Sequence, residues 1–293
     1  MCANRTAAAS PAPVGPARPL SARAVVAEVL AGLPAVTLEE VLTTATLQTR
    51  TDTKYLLTPA QFATLGSALP GRFRALQIGP RRMFRYESVY FDSPDLALYR
   101  AHRQGRRRRY KVRTRSYLDS GETLFEVKLS GRRGQTVKHR LPYAAADRST
   151  LTAQAREFLD EVLIAAYGVT APALAGTLTV SYRRSTLVDL ERGDRLTVDV
   201  DLACRSGRVQ ARGLDRVLVE SKSAEAGVEA ETALARMGVR PLSVSKYCVA
   251  VALLHPDLPA NPWHRTLIRE FAWAPRRGGP LGPTTNPWKE TSR

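Results

Sequence analysis

The segment Arg106–Tyr117 reads RRRRYKVRTRSY, and it carries seven arginine or lysine side chains within its first ten residues. Successive side chains of a β-strand point to opposite faces of the sheet. Five basic side chains at alternate positions would therefore share one face: Arg107, Arg109, Lys111, Arg113 and Arg115. The pattern predicts a strand with one cationic face, and it leaves Arg106 and Arg108 as an exposed basic rim.

The whole chain shares this positive charge. Its 293 residues include 44 lysines and arginines against 27 aspartates and glutamates, which gives a formal net charge of +17 at pH 7. Such an imbalance predicts an anionic partner, either nucleic acid, acidic lipid or a phosphate-rich ligand. Hydrophobic residues make up 44% of the chain, so the protein can also bury a core of ordinary size.

The cysteine pattern and the hydropathy of the chain bear on its location. The three cysteines lie far apart, at positions 2, 204 and 248, and this spacing favours neither a disulfide framework nor a zinc site. The proline-rich start lacks the apolar stretch of a signal peptide. No apolar run reaches the roughly 18 residues of a membrane span. We therefore expect a cytoplasmic protein.

Composition divides the chain into three regions. Residues 1–20 are rich in alanine and proline, and residues 259–293 combine proline, glycine and arginine. Both segments are predicted to be disordered tails. Residues 21–258 contain no obvious linker or internal repeat, so they are expected to form one domain.

Short strands dominate the predicted secondary structure. Nine segments alternate between polar and apolar residues: 50–57, 72–78, 83–92, 107–117, 122–130, 135–141, 176–190, 194–204 and 214–222. Helices are expected mainly in the connections, at 22–33, 38–47, 58–69, 93–102, 147–167, 225–237 and 243–254. This order favours an α+β fold with eight to nine antiparallel strands closed into a barrel and helices at its periphery.

One-sided charge recurs in the other strands. Charged residues share a face in six further segments: Arg50, Asp52 and Lys54; Glu126 and Lys128; Lys138 and Arg140; Arg184; Arg195 and Asp199; Glu220 and Lys222. The simplest explanation is that an antiparallel sheet has one solvated face. If the sheet instead curls with its apolar face outward, these charges line a lumen. Unpaired buried charge is costly, so such a lumen would need a polyanion and a metal ion.

Nine motifs occur in a fixed order across about residues 50–250: TRTDTKYLLT, YFDSPDLALY, KVRTRSY, FEVKLSG, VKHR, SYRRST, RLTVDVDL, VLVESK and SVSKY. Their ordered combination resembles the polyphosphate polymerase (VTC) domain family, a branch of the triphosphate tunnel metalloenzyme superfamily. The resemblance covers essentially the whole predicted domain. It implies an antiparallel tunnel that binds triphosphate or polyphosphate end-on.

The resemblance also implies roles for individual residues. Six match positions that act on the phosphate chain during the reaction: Lys54, Arg113, Arg115, Lys128, Arg184 and Arg195. Five more would bind the substrate: Lys111, Lys138, Arg140, Lys222 and Lys246. Glu220 matches the glutamate that coordinates Mn²⁺ or Mg²⁺ in the family. Glu126 and Asp199 are weaker metal candidates, equally well explained as partners of tunnel arginines.

One departure bears on the reaction. The wider superfamily often begins with a glutamate-x-glutamate-x-lysine strand, whereas Arg50 and Asp52 precede Lys54 here. This exchange points to the polymerase branch, which transfers the γ-phosphate of ATP to a growing polyphosphate chain and releases ADP. Phosphoryl transfer depends on positioning and charge neutralisation, so no histidine or serine base is required. Coupled membrane translocation would need a separate membrane protein partner.

Two other classes of function remain open at this point. The same tunnel could hydrolyse triphosphate or polyphosphate, although few acidic residues are available for a second metal ion. The chain could also be a non-catalytic protein that binds polyphosphate or nucleic acid electrostatically. Specific nucleic-acid recognition is disfavoured, because neither exposed stacking aromatics nor a recognition helix is evident. No oligomeric state is predicted.

Overall fold

The computed structural model describes residues 20–44, 51–69, 71–130, 136–213, 215–223 and 229–271. The predicted N-terminal tail up to residue 19 lies outside these ranges, as does Arg50. The same holds for residues 272–293 of the predicted C-terminal tail. Short parts of predicted elements, at 45–47, 135, 214 and 225–228, also lie outside the described residues.

The described residues contain eleven strands: β1 Ala35–Val36, β2 Thr51–Leu57, β3 Phe73–Leu76, β4 Phe84–Asp92, β5 Tyr110–Tyr117, β6 Thr123–Ser130, β7 Thr136–Pro142, β8 Ala175–Asp189, β9 Arg195–Ser206, β10 Val209–Arg212 and β11 Val217–Ser223. Each of the nine predicted strands is present. The short strands β1 and β10 were not predicted, because too few residues alternate in them to give a signal. Strand β5 begins at Tyr110, so Arg107 and Arg109 precede it.

Eight strands form one continuous path in the order β2-β11-β9-β8-β4-β5-β6-β7. Every pair on this path is antiparallel, and the one parallel pair among the described strands joins β1 to β3 at the periphery. Strands β2 and β7 end the path and do not pair with each other within the described residues. The predicted α+β fold, with about eight antiparallel strands and peripheral helices, is confirmed. The sheet is a half-barrel that stays open between β2 and β7, where the sequence pattern predicted a closed barrel.

The described residues contain eight α-helices: α1 Ala22–Ala31, α2 Leu38–Thr44, α3 Pro59–Ser67, α4 Ala97–Arg103, α5 Ala153–Tyr167, α6 Glu229–Arg236, α7 Lys246–Leu254 and α8 His264–Phe271. Local chemistry sets several ends. Thr58 and Gln61 form a reciprocal capping box at the start of α3, and Gly168 ends α5 in the left-handed conformation. No helix in this part of the chain combines the length and the apolar character needed to cross a lipid bilayer.

The apolar face of the sheet is covered by helices. Val198 and Val219 pack in one cluster with residues of α1, α3 and α6, while Phe125 and Val127 pack against α5 in a second cluster. Burying each such side chain stabilises the fold by about 1.5–3 kcal/mol. Because the apolar face lies under these helices, the charged face of the sheet forms the concave side.

Helix α7 covers one end of this concave side. Its residues share an apolar cluster with Leu178, Val180 and Tyr182 of β8, which lie on the same face of that strand as Arg184. Six of its nine residues, from Tyr247 to Ala252, are buried consecutively. Such all-round burial explains why the segment is apolar without a clear helical stripe.

The prediction of disorder from residue 259 is wrong for residues 260–271. Ala260, Trp263 and Leu267 are buried in one apolar cluster with α7. Ala260 directly precedes a 3₁₀ turn at Asn261–Trp263, and Leu267 lies in helix α8. Pro262 occupies the start of the turn, where a missing amide hydrogen costs little. This proline is therefore compatible with helical structure, and the four-residue spacing of Trp263 and Leu267 places both on one buried face.

A tight contact between α1 and α3 provides a test of this packing. A Cβ added at Gly66 would lie 2.5 and 2.9 Å from the two γ-methyl groups of Val29, whose β-branched side chain has little rotamer freedom in a helix. Gly66→Ala should therefore lower the free energy of unfolding by about 1–3 kcal/mol, although alanine favours helices by about 1 kcal/mol. Urea unfolding measures the change.

The matched control is the same substitution in a Val29→Ala background. There the two γ-methyl groups are gone and the nearest atom of residue 29 is its Cβ, 3.3 Å from the added Cβ. Gly66→Ala should therefore be close to neutral or stabilising. A stabilising effect of Gly66→Ala while Val29 is still present would contradict the packing described here.

Candidate functional site

The concave face gathers the basic residues predicted from the strand patterns. Strand register places ten of them on this face, and Lys246 adds an eleventh from the start of α7: Lys54, Lys111, Arg113, Arg115, Lys128, Lys138, Arg140, Arg184, Arg195, Lys222 and Lys246. Four carboxylates lie among them: Asp52, Glu126, Asp199 and Glu220. The cations are therefore in large excess.

Glu126 is the centre of the first ion-pair cluster. Arg113 donates to its Oε2 from Nε at 2.7 Å and from Nη2 at 2.5 Å, and Arg140 Nε donates to Oε1 at 3.2 Å. Lys138 Nζ lies 3.8 Å from the same Oε1. The Glu126 side chain is only 2% exposed. Burial raises the pKa of this carboxyl, but Arg113, Arg115 and Lys138 lower it more, so it stays ionised.

Asp199 is the centre of the second cluster. Arg184 Nε and Nη2 donate to its two oxygens at 2.6 and 2.8 Å, and Lys246 Nζ donates to Oδ2 at 2.5 Å. Burial raises the pKa of Asp199, but the charges of Arg184 and Lys246 outweigh it and bring the pKa to about 2. The cluster joins strands β8 and β9 to helix α7.

Glu220 is the centre of the third cluster, and its partners are lysines. Lys222 Nζ lies 2.8 Å from Oε2, and Lys54 Nζ lies 3.4 Å from Oε1. The Thr197 hydroxyl donates to Oε2 at 3.5 Å. Burial raises the pKa of Glu220, but Lys222 and Lys54 hold it well below its usual range.

Three cations on this face have no carboxylate within ion-pair distance among the described residues. Lys111 and Lys128 lie directly opposite each other on β5 and β6. Burial lowers the pKa of Lys111 to about 8, and the charge of Lys128 acts in the same direction. Arg115, 7% exposed, donates from Nη2 to the Tyr182 hydroxyl at 3.0 Å, while its buried Nε has no partner. These groups form a site suited to an anion.

The two ends of the sheet face each other across the concave side. Lys128 lies on β6. Burial lowers its pKa, and the charges of Glu220 on β11 and Asp52 on β2 oppose this shift. Similarly, Lys54 on β2 lowers the pKa of Lys111 on β5, adding to the effect of burial. The charges of both sheet ends therefore act on the same interior space, as in a tunnel.

Arg195 and the arginines before β5 lie toward the edges of the site. Arg195 pairs across the strands with Lys222, and its Nη2 donates to the Val41 carbonyl at 3.4 Å, next to α2. Residues Arg106–Arg108 are exposed, as the predicted basic rim requires. The Arg109 guanidinium donates to the Arg106 carbonyl at 2.8 Å and so turns back on its own loop.

Tyrosines hold the tunnel arginines, a role that was not predicted from the sequence. The guanidinium carbon of Arg113 lies 5.8 Å from the centre of the Tyr90 ring, and those of Arg115 and Arg184 lie 5.7 and 5.5 Å from Tyr86. Such cation–π contacts fix the position of each charge. Tyr86 and Tyr90 share one face of β4, but core residues alternate in the same way, so the pattern does not reveal this role.

The distribution of lysine along the sequence is a second feature that indicates the site, and it was not used in the prediction. The chain has 37 arginines but only seven lysines. Six of the seven line the concave face, and the seventh, Lys289, lies outside the described residues. Surface charge in this protein is therefore carried by arginine, and lysine marks the site.

The donor set for a metal ion is small. The described residues contain no group of three or more His, Cys, Asp or Glu side chains arranged to hold one. Glu126 and Asp199, at 2% and 1% exposed, are occupied by guanidinium groups, whereas Glu220 is 14% exposed and is held by lysines. Mg²⁺ commonly uses one or two carboxylates together with substrate phosphates. Glu220 fits that role, and the other two fit the alternative role of arginine partners.

The sequence of this chain matches the model of a known protein family. The sequence model of the VTC domain family matches residues 49–255, which is well over half of the chain. This chain therefore belongs to the VTC domain family, and the resemblance inferred from its motifs is confirmed. No curated protein sequence matches it significantly.

Solved structures give weaker similarities. A candidate adenylyl cyclase from Hippeastrum, described as having a dominant triphosphatase activity, superimposes with a TM-score of 0.46 at 15% identity, over 70% of this chain and 96% of that one. A candidate adenylate cyclase from Vibrio parahaemolyticus gives a TM-score of 0.34 at 16% identity, over 70% and 87%. The PH1819 protein of Pyrococcus horikoshii gives 0.36 at 11%, over 66% and 92%. Similarity at this level says nothing about the reaction of this chain.

Lys138 makes the electrostatics of the site testable. Burial lowers its pKa to about 7, although Glu126 raises it. The folded protein then binds fewer protons than the unfolded chain between about pH 7 and 10, so the cost of burying this cation is largest below pH 7 and falls above it. At about pH 6, Lys138→Met should raise the free energy of unfolding by about 1–2 kcal/mol and raise the melting temperature accordingly. At about pH 9 both gains should be smaller.

Thermal melts at both pH values measure this difference. Arg212→Met is the matched control, since it removes an exposed cation from β10 and arginine does not titrate in this range. An equal gain from Lys138→Met at both pH values would contradict the proposed electrostatics of Lys138.

Proposed function

We propose that this protein is a polyphosphate polymerase that transfers the γ-phosphate of ATP to the end of a growing polyphosphate chain and releases ADP. One observation carries the proposal: Lys111, Arg115 and Lys128 are cations on the concave face of the half-barrel without a carboxylate partner among the described residues. A linear polyanion would neutralise them, because its charges repeat along the line of the tunnel. Membership of the VTC domain family supports the same substrate class.

The residues of this chain would act mainly by positioning. Planar guanidinium groups can grip two non-bridging oxygens of a phosphate at once, and Arg113, Arg115 and Arg184 are held in place by tyrosine rings. A site fixed before the substrate enters loses little energy in reorganising during the reaction. The terminal phosphate of the polymer is itself an anionic nucleophile, so the chain needs no general base.

Lysines would complete the neutralisation of charge. Lys54, Lys222 and Lys246 each share a carboxylate in the described structure, and each can turn to a phosphate oxygen without leaving that carboxylate unpaired. Glu220 would hold Mn²⁺ or Mg²⁺ together with phosphate oxygens, and the ion would supply Lewis-acid neutralisation of the charge that develops in phosphoryl transfer. Cytoplasmic location and a separate membrane protein partner remain part of the proposal.

The first test is synthesis by the purified protein. With ATP and Mn²⁺, wild type should release ADP and form polymer that is visible on a gel. Glu220→Gln removes one negative charge with little change of shape, and it should lower the rate by about tenfold or more. Glu122→Gln, on an exposed hairpin, is the matched control and should retain the wild-type rate.

Other products of this reaction would indicate a different function for the protein. Free phosphate without polymer would establish the hydrolase, and tight polyphosphate binding without turnover would establish a binding protein. Equal rates for Glu220→Gln and Glu122→Gln would exclude Glu220 as a metal ligand.

The second test separates the tunnel from a nucleic-acid surface. Arg115 has no carboxylate partner among the described residues, so Arg115→Met leaves no unpaired acid behind. It should weaken tripolyphosphate binding by about tenfold or more and leave DNA binding unchanged. Arg108→Met, in the exposed rim, is the control, and it should affect only DNA binding.

Calorimetric titration with tripolyphosphate and a duplex DNA measures both constants. If Arg115→Met weakens DNA binding and spares tripolyphosphate, the tunnel is not the anion site and the proposal is wrong.

A further inference from the structure

We propose that Tyr247 is a positioning residue of the tunnel: its hydroxyl, bound to the buried Asp92 carboxylate, fixes the first turn of α7 and so holds Lys246 at Asp199. The role given to Lys246 toward a polyanion rests on the proposed function, whereas the link between Tyr247 and Lys246 does not. Neither Asp92 nor Tyr247 belongs to the ion-pair clusters described above.

Asp92 is a carboxylate with no solvent exposure at the end of β4. Its Oδ1 accepts hydrogen bonds from the backbone of Ser93 at 2.7 Å and Leu98 at 2.9 Å, and its Oδ2 accepts from the backbone of Tyr99 at 3.0 Å. The Ser93 hydroxyl lies 3.4 Å from Oδ1, and the Tyr247 hydroxyl donates to Oδ2. Three of these five donors are backbone amides of the segment that runs from β4 into α4, so Asp92 is a rigid anchor.

Tyr247 is the part of α7 that reaches this anchor. It is 1% exposed, and burial, together with the nearby charge of Asp92, holds the pKa of its hydroxyl well above the usual range. The hydroxyl therefore stays protonated and has a hydrogen to donate to Asp92. A hydrogen bond between two buried groups, one of them charged, is costly to leave unmade.

The neighbouring residue in the same helical turn is Lys246. Its ammonium donates to Asp199 at 2.5 Å and lies 4.8 Å from the centre of the Tyr182 ring. Ser245 caps the helix by accepting from the Cys248 amide, a contact that stays within the helix. The Tyr247 hydroxyl adds a hydrogen bond from the same turn to Asp92 at the end of β4.

The ring of Tyr247 extends the connection to the opposite wall. It stacks on Tyr90, with 5.0 Å between the ring centres, and the Tyr90 hydroxyl accepts from Arg113 Nη1 at 3.1 Å. Arg113 in turn pairs with Glu126. One turn of α7 therefore connects to both the Asp199 cluster and the Glu126 cluster, and a shift of that turn would change the spacing between them.

The test removes the hydroxyl and keeps the ring. Tyr247→Phe should leave the stacking on Tyr90 intact, yet weaken tripolyphosphate binding by about tenfold. Tyr99→Phe is the matched control: it also deletes one buried hydroxyl, which donates to the Pro259 carbonyl at 2.9 Å, while the Tyr99 amide can still bind Asp92. Tyr99→Phe should lower the melting temperature comparably without changing tripolyphosphate binding.

A double-mutant cycle separates positioning from general destabilisation. In a Lys246→Met background, Tyr247→Phe should change the tripolyphosphate Kd by less than about twofold, because the group it positions is gone. If Tyr247→Phe weakens binding equally with and without Lys246, Tyr247 does not act through Lys246 and the inference is wrong.

A readout without ligand makes the inference independent of the proposed function. The side chain of Lys246 is 14% exposed, and lysines are few, so labelling with an amine-reactive reagent can be followed residue by residue with mass spectrometry. Tyr247→Phe should speed labelling of Lys246 several-fold and leave Lys138 at its wild-type rate, and Tyr99→Phe should change neither. Unchanged labelling of Lys246 would overturn the inference, whereas failure of wild type to bind tripolyphosphate would overturn only the proposed function.

Discussion

The structure depends on how an excess of buried positive charge is tolerated. Each of three carboxylates, Glu126, Asp199 and Glu220, neutralises at least two cations at the same time. These pairs join neighbouring strands and helix α7 to one another, so neutralisation also holds the walls of the site together. The remaining cations have no carboxylate partner among the described residues. Burial lowers the pKa of Lys111 and Lys128, and Arg115 is held by the Tyr182 hydroxyl and the Tyr86 ring. In the proposed function, the same excess of positive charge that costs the fold stability would bind the substrate.

Much of this arrangement could be predicted from local sequence. Alternation identified each long strand, since side-chain direction follows directly from the two-residue period. It also predicted which residues share the charged face, and the resemblance to the VTC family supplied the tunnel architecture. Register across strands is a property of the folded sheet. The pairing of Arg113 with Glu126 and of Arg184 with Asp199 therefore becomes evident only once the strands are aligned.

Other features depend on tertiary contacts that no local pattern contains. The tyrosines beneath the arginines have the same alternation as core residues, and only the fold distinguishes the two roles. Asp92 follows an apolar strand and resembles a helix cap, and its link to Tyr247 spans 155 residues. Helix α8 was missed because proline content outweighed the spacing of Trp263 and Leu267. In each case the deciding partner is distant in the chain.

The division of labour between lysine and arginine has a consequence for how this chain can change over time. A guanidinium stacked on a ring and bound to a carboxylate through two nitrogens, as at Arg113, has no equivalent in lysine. Burial lowers the pKa of four tunnel lysines, Lys111, Lys128, Lys138 and Lys222, and an arginine at these positions could not release a proton. Substitutions between lysine and arginine usually have little effect on a protein surface. Along this face they should be selected against, so related sequences should preserve which of the two residues stands at each position.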